Sequence, residues 1–340
     1  DRYEGNPVYF VTRQLTAMGL GVAVVIVLLQ FDYHILRRIS VPLIVVTIVI
    51  LLVMLLFGQV DAYGAIRTLS DGSYQPSELA KLAMILYIAH WLDSKGERIK
   101  TLNYGLFPFA AITGIVCGLI VLQPALSTAI LIGLISFTLF FVAGADLKQV
   151  LAAGVVAMVM LFFLMFALDH ASQRINDYMA AFRDPQQAGY QVKQSLAALA
   201  NGGYWGVGLG KGDQKFGPLP LAHTDGVFAI VGEEMGLLGS IGVVLLFAFM
   251  AWRGFLVATR ARDTYGFLLA VGVTAWISYQ ALINIAVITA VIPFTGMPMP
   301  FLSYGGSSML TTIIGVGILL CVSRDAAMGR QSARRQPKSS

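Results

Sequence analysis

The residues with the clearest chemical potential in this chain are three carboxylates: Asp225, reached through His223 and Thr224, and the pair Glu233-Glu234. All three fall at or inside the mouth of an apolar segment, where an ionised group is costly unless it meets a partner or a watery cavity. A carboxylate so placed can take a proton from a hydroxyl nucleophile. It can also cap a helix whose first amides lack acceptors. Gly226 opens the following helix and Pro218 and Pro220 lead up to it, so Asp225 is expected at the N-cap. Capping accounts for Asp225 but not for His223 or the two glutamates; His223 alone also reads as a hydrogen-bonded loop residue.

Three further polar clusters interrupt apolar sequence. Gln75-Pro76-Ser77-Glu78 opens one segment, with Pro76 suited to a first helical turn and Glu78 three residues before Lys81, a spacing that lets the two pair on one face. They form either a structural ion pair or the polar wall of a cavity. Gln123-Pro124 separates two apolar segments. Pro298 to Ser308, which includes Ser303 and Tyr304, brings proline, glycine and hydroxyl groups to membrane depth, where irregular backbone must line protein or water rather than lipid. Tight packing through small residues is the alternative.

The elements that must position these groups follow from composition. Of 340 residues, 57% are hydrophobic and 12% charged, which places the chain among integral membrane proteins. Apolar runs near 14–31, 41–60, 77–92, 104–122, 126–144, 150–168, 226–251, 267–291 and 307–323 are each long enough to cross a hydrocarbon core of about 30 Å. Without a two-residue alternation they read as helices, not barrel strands. The expected architecture is an all-α, polytopic helical bundle: a single membrane domain over 1–323, one long polar, glycine-rich loop over 169–224, and a basic tail over 324–340. A loop of that length inside a compact bundle usually carries function.

Alternating the spans collects 14 of the 23 basic residues, from Arg37 and Arg38 to the tail, on one side, which is cytoplasmic by the positive-inside rule. The N-terminus and the long loop then lie outside and the C-terminus inside. The odd span count, with Asp at position 1, leads to the expectation of a further helix ahead of residue 1. The net charge of +5 sits mostly on the cytoplasmic rim and tail, a topology signal rather than a nucleic-acid surface. Arg330 to Ser340 read as a disordered basic tail near anionic lipid. Cys117 and Cys321 lie in separate spans and support neither a disulfide framework nor a cysteine metal site. No P-loop, dinucleotide fingerprint or His-Glu-x-x-His motif is present.

The ordered set Gly64-Ala65-Ile66-Arg67, Gln75-Pro76-Ser77-Glu78 with Lys81, Gln123-Pro124, Asp184-Pro185 with Gly189-Tyr190-Gln191, Gly206-Val207-Gly208-Leu209-Gly210 with Gln214-Lys215, His223-Thr224-Asp225, Gly232-Glu233-Glu234-x-Gly236 and Pro300 to Ser308 resembles the SEDS proteins (shape, elongation, division and sporulation), the RodA/FtsW group of peptidoglycan glycosyltransferases. The motifs keep the family order over nearly the whole chain, and the region from Gly206 to Lys215 and from Pro298 to Ser308 looks more like the division branch. The resemblance implies a ten-helix fold, of which nine spans are visible here. It also implies polymerisation of lipid II on the outer face of the bacterial cytoplasmic membrane, with Asp225 as the essential carboxylate and general base.

On the same footing, Lys81, Arg67, Lys211 and Lys215 are candidates to meet the departing undecaprenyl pyrophosphate, and Glu78 would orient Lys81. Gln75, Gln123, His223, Thr224, Ser303 and Tyr304 would line the cavity, with a cleft joining Asp225 to Glu78 and Lys81. A divalent cation, magnesium or manganese, is suggested by the resemblance, with Asp225 a candidate ligand. The implied partner is a class B penicillin-binding transpeptidase within a cell-wall synthesis or divisome complex, and no nucleic acid is implied. Leu221, Gly226, Ala125, Ser127 and Thr68 depart from common family residues around the site without removing Asp225, Glu78 or Lys81. A lipid-linked precursor flippase and a non-catalytic division scaffold are the alternatives; the clustering of polar groups at one face, away from the midplane, argues against transport.

Overall fold

The structure, a computed structural model, describes the backbone of residues 9–60, 66–68, 75–183, 189–214 and 224–335. Helices stand at all nine apolar runs: α1 (Tyr9–Leu28), α2 (Ile35–Phe57), α3 (Pro76–Lys95), α4 (Phe107–Val121), α5 (Leu126–Val142), α6 (Leu147–Ala167), α9 (Val227–Ala258), α10 (Thr264–Ile288) and α11 (Gly306–Arg335). Six of these helical stretches are long and apolar enough to cross a membrane by themselves, and α1 and α5 carry shorter apolar stretches. The remaining helix, α3, carries Glu78, Lys81, His90 and Asp93 and is buried along most of its length. A two-stranded antiparallel hairpin, β1 (Gln59–Val60) with β2 (Ile66–Thr68), is a minor addition to an otherwise helical fold.

The long insert is not the loop its glycine and polar content suggested. It folds α7 (Asp169–Arg183) and α8 (Tyr190–Gly202) before the glycine-rich stretch begins. At the other end of the chain α11 continues through Arg335, where the sequence suggested disorder from Arg330; the Ala, Arg and Gln residues there are good helix formers.

Two compact units result. The first comprises Asp1–Ala153, Met250–Trp276 and Gly306–Ser340. Within it α3 packs against α2, α5 and α11, and α1 lies along α11. Small residues set that last approach: Gly21 faces Ile313 and Gly317 faces Val25, so closely that a methyl group on Gly317 would meet Val25 at 2.7 Å. The second unit comprises Gly154–Phe249 and Ile277–Gly305, with a core of Ala198, Phe228, Ala229, Ile288 and Met299.

At the end of α3 remote from Glu78, the first unit is closed by charge. His34, in the α1–α2 turn, places Nδ1 2.5 Å from Asp32 Oδ1 and bonds through Nε2 to Asp263. The Tyr33 hydroxyl donates to the same Asp263 carboxylate at 2.9 Å. Arg37 pairs with Asp93 while its guanidinium lies 5.3 Å above the Tyr265 ring. Partial burial works against a charged His34, but its two carboxylate partners outweigh that and hold its pKa above 6.5. Asp263 is partly buried too, yet hydrogen bonds from Gly266, His34 and Tyr33 hold it below the usual carboxylate range.

The sign of the linkage follows. The raised imidazole adds stability that is complete below its ordinary value of 6.5 and is lost as pH rises through the raised value. The lowered carboxylate contributes above its ordinary 3.8 and is lost as pH falls through the depressed value. His34 and Asp263 each keep about a third or more of the side chain open to solvent (41% and 33%), so screening keeps the effect small. The stability difference between the protein and His34→Gln, read as thermal midpoints in detergent, should shrink between about pH 5 and about pH 8. A difference independent of pH would show that the clasp carries no net charge effect.

Candidate active site

Asp225 sits one residue ahead of its expected position. The first helical carbonyl of α9 is that of Gly226, which accepts from Ala229 at 3.0 Å and Ile230 at 3.3 Å. Gly226 is therefore the capping residue, and Asp225 lies in the turn Thr224–Asp225–Gly226 that delivers the chain to the helix. Asp225 is only 7% exposed.

What holds Asp225 comes from α10 and the segment that follows it. The Asn284 amide donates one hydrogen to the Asp225 carbonyl at 3.0 Å and the other to the Met297 carbonyl at 2.7 Å. One fully buried amide thus ties the turn before α9 to the 295–299 segment. One turn earlier, Gln280 donates to the Pro298 carbonyl at 2.9 Å. The carboxylate lies against Gly296: a Cβ built there would come within 3.2 Å of Asp225 Oδ2, and Gly296 has φ +64°, a conformation that favours glycine. The insert braces the same segment, with the Tyr178 hydroxyl donating to the Val291 carbonyl at 2.6 Å and Arg174 to that of Thr295 at 3.4 Å. Ser303 closes the turn beyond it by accepting from the Met299 amide at 2.7 Å, across Phe301 at φ +65°.

Glu233 and Glu234 also find partners. Their helix is broken at Gly236 (φ 65°, ψ −162°), which strands carbonyls before the break and amides after it. The glycine-rich stretch supplies both sets: Val207 and Gly208 donate to the carbonyls of Glu233 and Glu234, and the carbonyls of Gly203 and Tyr204 accept from Leu237 and Leu238. The side chains complete the clamp. Glu233 accepts from the amides of Asp213 and Gln214, each at 3.3 Å, and Glu234 from that of Gly210 at 3.0 Å. The backbones approach so closely that a Cβ on Gly206 would lie 2.2 Å from the Glu234 carbonyl oxygen. These glutamates therefore fix the glycine-rich stretch rather than line a site.

In the first unit, Lys81 Nζ lies 2.8 Å from Glu78 Oε1 as the spacing predicts, with both side chains almost wholly buried. The ammonium also lies 5.2 Å from the Trp276 ring centroid, within cation–π range. The Thr311 hydroxyl bonds to the Ser307 carbonyl at 2.8 Å and lies 3.5 Å from Glu78 Oε2, and the Gln75 amide donates to Ser307 Oγ at 3.1 Å. A polar seam thus joins the starts of α3 and α11. Gln123 donates to the Leu51 carbonyl at 2.8 Å, tying the end of α4 to α2.

Of the remaining candidates, Thr224 lies in the Asp225 turn, Tyr304 is half-buried after Ser303, and Lys211 is exposed with its stem along Gly208. Arg67 has its backbone in β2, while His223 and Lys215 lie outside the described residues. Sequence reasoning missed Asn284 and Gln280. Their signal was present: two amides four residues apart share one face of an otherwise apolar span. No group of three or more His, Cys, Asp or Glu side chains able to hold a metal ion occurs among the described residues.

A helical membrane protein with a carboxylate fixed at the mouth of one span and a buried ion pair opening another is the class this geometry defines. The comparisons place it further. The family model FTSW_RODA_SPOVE, described as cell cycle protein, matches residues 1–328, and the chain belongs to this family. It is 38% identical to the probable peptidoglycan glycosyltransferase FtsW of Geobacter metallireducens, over 93% of this chain and 85% of that one. It is 37% identical to stage V sporulation protein E of Bacillus subtilis, over 93% and 87%. Among solved structures it resembles a chain from a study of polymerization and crosslinking by a peptidoglycan synthase complex, with TM-score 0.78, 27% identity and coverage of 94% and 91%. The rod shape determining protein RodA of Thermus thermophilus follows at TM-score 0.68, 27% identity and coverage of 95% and 90%.

Truncating Asn284 to Ala leaves two buried carbonyls without a donor, at a cost of about 1–3 kcal/mol for each group. The thermal midpoint should fall and catalytic output should fall with it. Gly296→Ala, which presses a methyl group toward the carboxylate, should lower activity more than it lowers stability. Wild-type activity in both variants would show that Asp225 needs neither support.

Proposed function

We propose that this chain polymerises lipid II into glycan strands, with Asp225 as the general base. The supporting observation is the seating of Asp225: a residue at a helix mouth whose backbone carbonyl is held by the Asn284 amide and whose carboxylate lies against the Gly296 backbone. In the reaction the 4-hydroxyl of the acceptor sugar attacks the anomeric carbon of the donor chain. Its proton passes to the Asp225 carboxylate, the new C–O bond forms with inversion, and the bond to undecaprenyl diphosphate breaks with its electron pair leaving on the phosphate oxygen. A base whose backbone is fixed by a buried hydrogen bond is already in position when the hydroxyl arrives, which lowers the cost of reaching the reactive geometry.

Positive charge for the leaving diphosphate is assigned to Lys215 and Arg67, since the exposed Lys211 lies along the glycine-rich turn. Lys81 has a different role, since its ammonium is engaged by Glu78 and Trp276. The pair braces the seam between α3 and α11 together with Gln75, while Thr224, Ser303 and Tyr304 are assigned to the lining around Asp225. No cluster of three or more ligating side chains occurs among the described residues, so a divalent cation would be held by Asp225 together with oxygens of the substrate. When bound it would neutralise the diphosphate charge.

The location follows from the same reading: a bacterial cytoplasmic membrane, the insert and Asp225 on its outer face, and the C-terminus in the cytoplasm, as the basic residues favour. The division-type name of the Geobacter relative supports the division branch. A class B penicillin-binding transpeptidase is the assigned partner, supported by the structural neighbour whose study concerns polymerization together with crosslinking.

The test is polymerisation of purified lipid II by this chain with its transpeptidase partner. Asp225→Asn and Asp225→Ala should reduce glycan synthesis by about 10²- to 10⁴-fold, the usual contribution of a general base, with folding retained. Undiminished polymer from either variant contradicts the assignment. Lipid II translocation without polymer would indicate transport.

A further inference from the structure

The glycine-rich stretch that clamps the broken helix has a second face. Between Gly203 and Lys211 its large side chains point away from the protein: Trp205 is 82% exposed, Leu209 75% and Tyr204 73%. Such exposure of apolar side chains along one short turn marks a binding surface. The turn is not loosely held, because its backbone is fixed to residues 233–238 of α9 by four amide–carbonyl bonds and its C-terminal side by the two glutamate carboxylates.

The occupant follows from where that clamp lies. Residues 233–238 belong to a helix long and apolar enough to cross a membrane, and there Met235, Leu237 and Leu238 are exposed as a lipid-facing wall would be. The turn continues that wall, and the 20 residues of α9 beyond Leu238 already span about 30 Å, so the turn lies at the end of a stretch sufficient to cross the hydrocarbon core. Tyr and Trp are the side chains enriched at this level, because each carries an apolar ring and a polar edge. Lys211 completes the pattern: its stem lies along Gly208, within 3.4 Å of where a Cβ would stand, and its exposed end can reach a phosphate. A protein partner fits less well, since lysine is depleted at protein–protein interfaces.

We propose that the 204–211 turn is a membrane-interface anchor: Tyr204, Trp205 and Leu209 enter the headgroup–acyl boundary of the leaflet on the insert's side, with Lys211 reaching lipid phosphate. Because the same turn is bonded to α9 on either side of Gly236, the anchor sets the height of that helix in the bilayer. Asp225 begins the approach to the same helix, so its depth is fixed with it.

The test uses the full chain in nanodiscs of phosphatidylethanolamine and phosphatidylglycerol, with Cys117→Ser and Cys321→Ser removing the native thiols. A nitroxide is attached in turn to Trp205→Cys, Leu209→Cys and Lys211→Cys, and collisions with oxygen and with a water-soluble nickel chelate are measured by power saturation. At 205 and 209 oxygen collisions should exceed nickel collisions, giving a positive depth parameter, and the 211 label should read closer to water. Nickel access at 205 and 209 equal to that of a free nitroxide in buffer overturns the anchor. Exclusion of both reagents overturns it too, since that would mean protein covers the turn. Should the Trp205 variant fail to fold, Leu209 supplies the reading alone. The measurement carries no activity readout, so its failure is distinguishable from failure of the glycosyltransferase reading.

Discussion

An apolar environment makes a polar group without a partner costly, and that constraint shapes the site of this protein. It acts most visibly at Asn284. A single buried amide with two hydrogens meets two carbonyls, those of Asp225 and Met297, and by doing so decides where the turn before α9 stands. Gly296 then offers the carboxylate a backbone surface with no side chain in the way. The position of the proposed base is thus a consequence of hydrogen-bond satisfaction in a place where water is scarce.

The same constraint explains the broken helix. Gly236 interrupts α9, a helix long and apolar enough to cross a membrane, and an interruption there strands amides and carbonyls that lipid cannot satisfy. The glycine-rich stretch exists in its observed form because its own amides and carbonyls answer those of α9 one for one. Glu233 and Glu234, which look anomalous in an apolar span, are acceptors for amides of that stretch. In the first unit Glu78 and Lys81 satisfy one another, a buried pair whose separation by mutation of one partner would cost about 3–5 kcal/mol.

The spans were legible because length and apolar content alone specify them. Glu78 with Lys81 was legible because a three-residue spacing on a helix leaves little freedom. The insert was harder. Its helices α7 and α8 are short and polar, so their period was hidden behind the glycine content that follows them. Asp225 could be singled out by its chemistry, but the cap was displaced to Gly226, since glycine without a side chain can also start a helix. Asn284 and Gln280 were obscured by the apolar run around them, and their partners are carbonyls, which every residue has and no sequence distinguishes. The glutamate clamp was unreadable for the same reason: its donors are backbone amides positioned by left-handed glycines.

The central claim, that Asp225 takes the proton of the acceptor sugar, is tested most directly by a structure of the protein bound to a lipid II acceptor analogue. The account predicts the sugar 4-hydroxyl within about 2.6–3.2 Å of an Asp225 carboxylate oxygen, with Asn284 still bridging the carbonyls of Asp225 and Met297. An acceptor seated with that hydroxyl out of reach of Asp225, or against a different carboxylate, would contradict it.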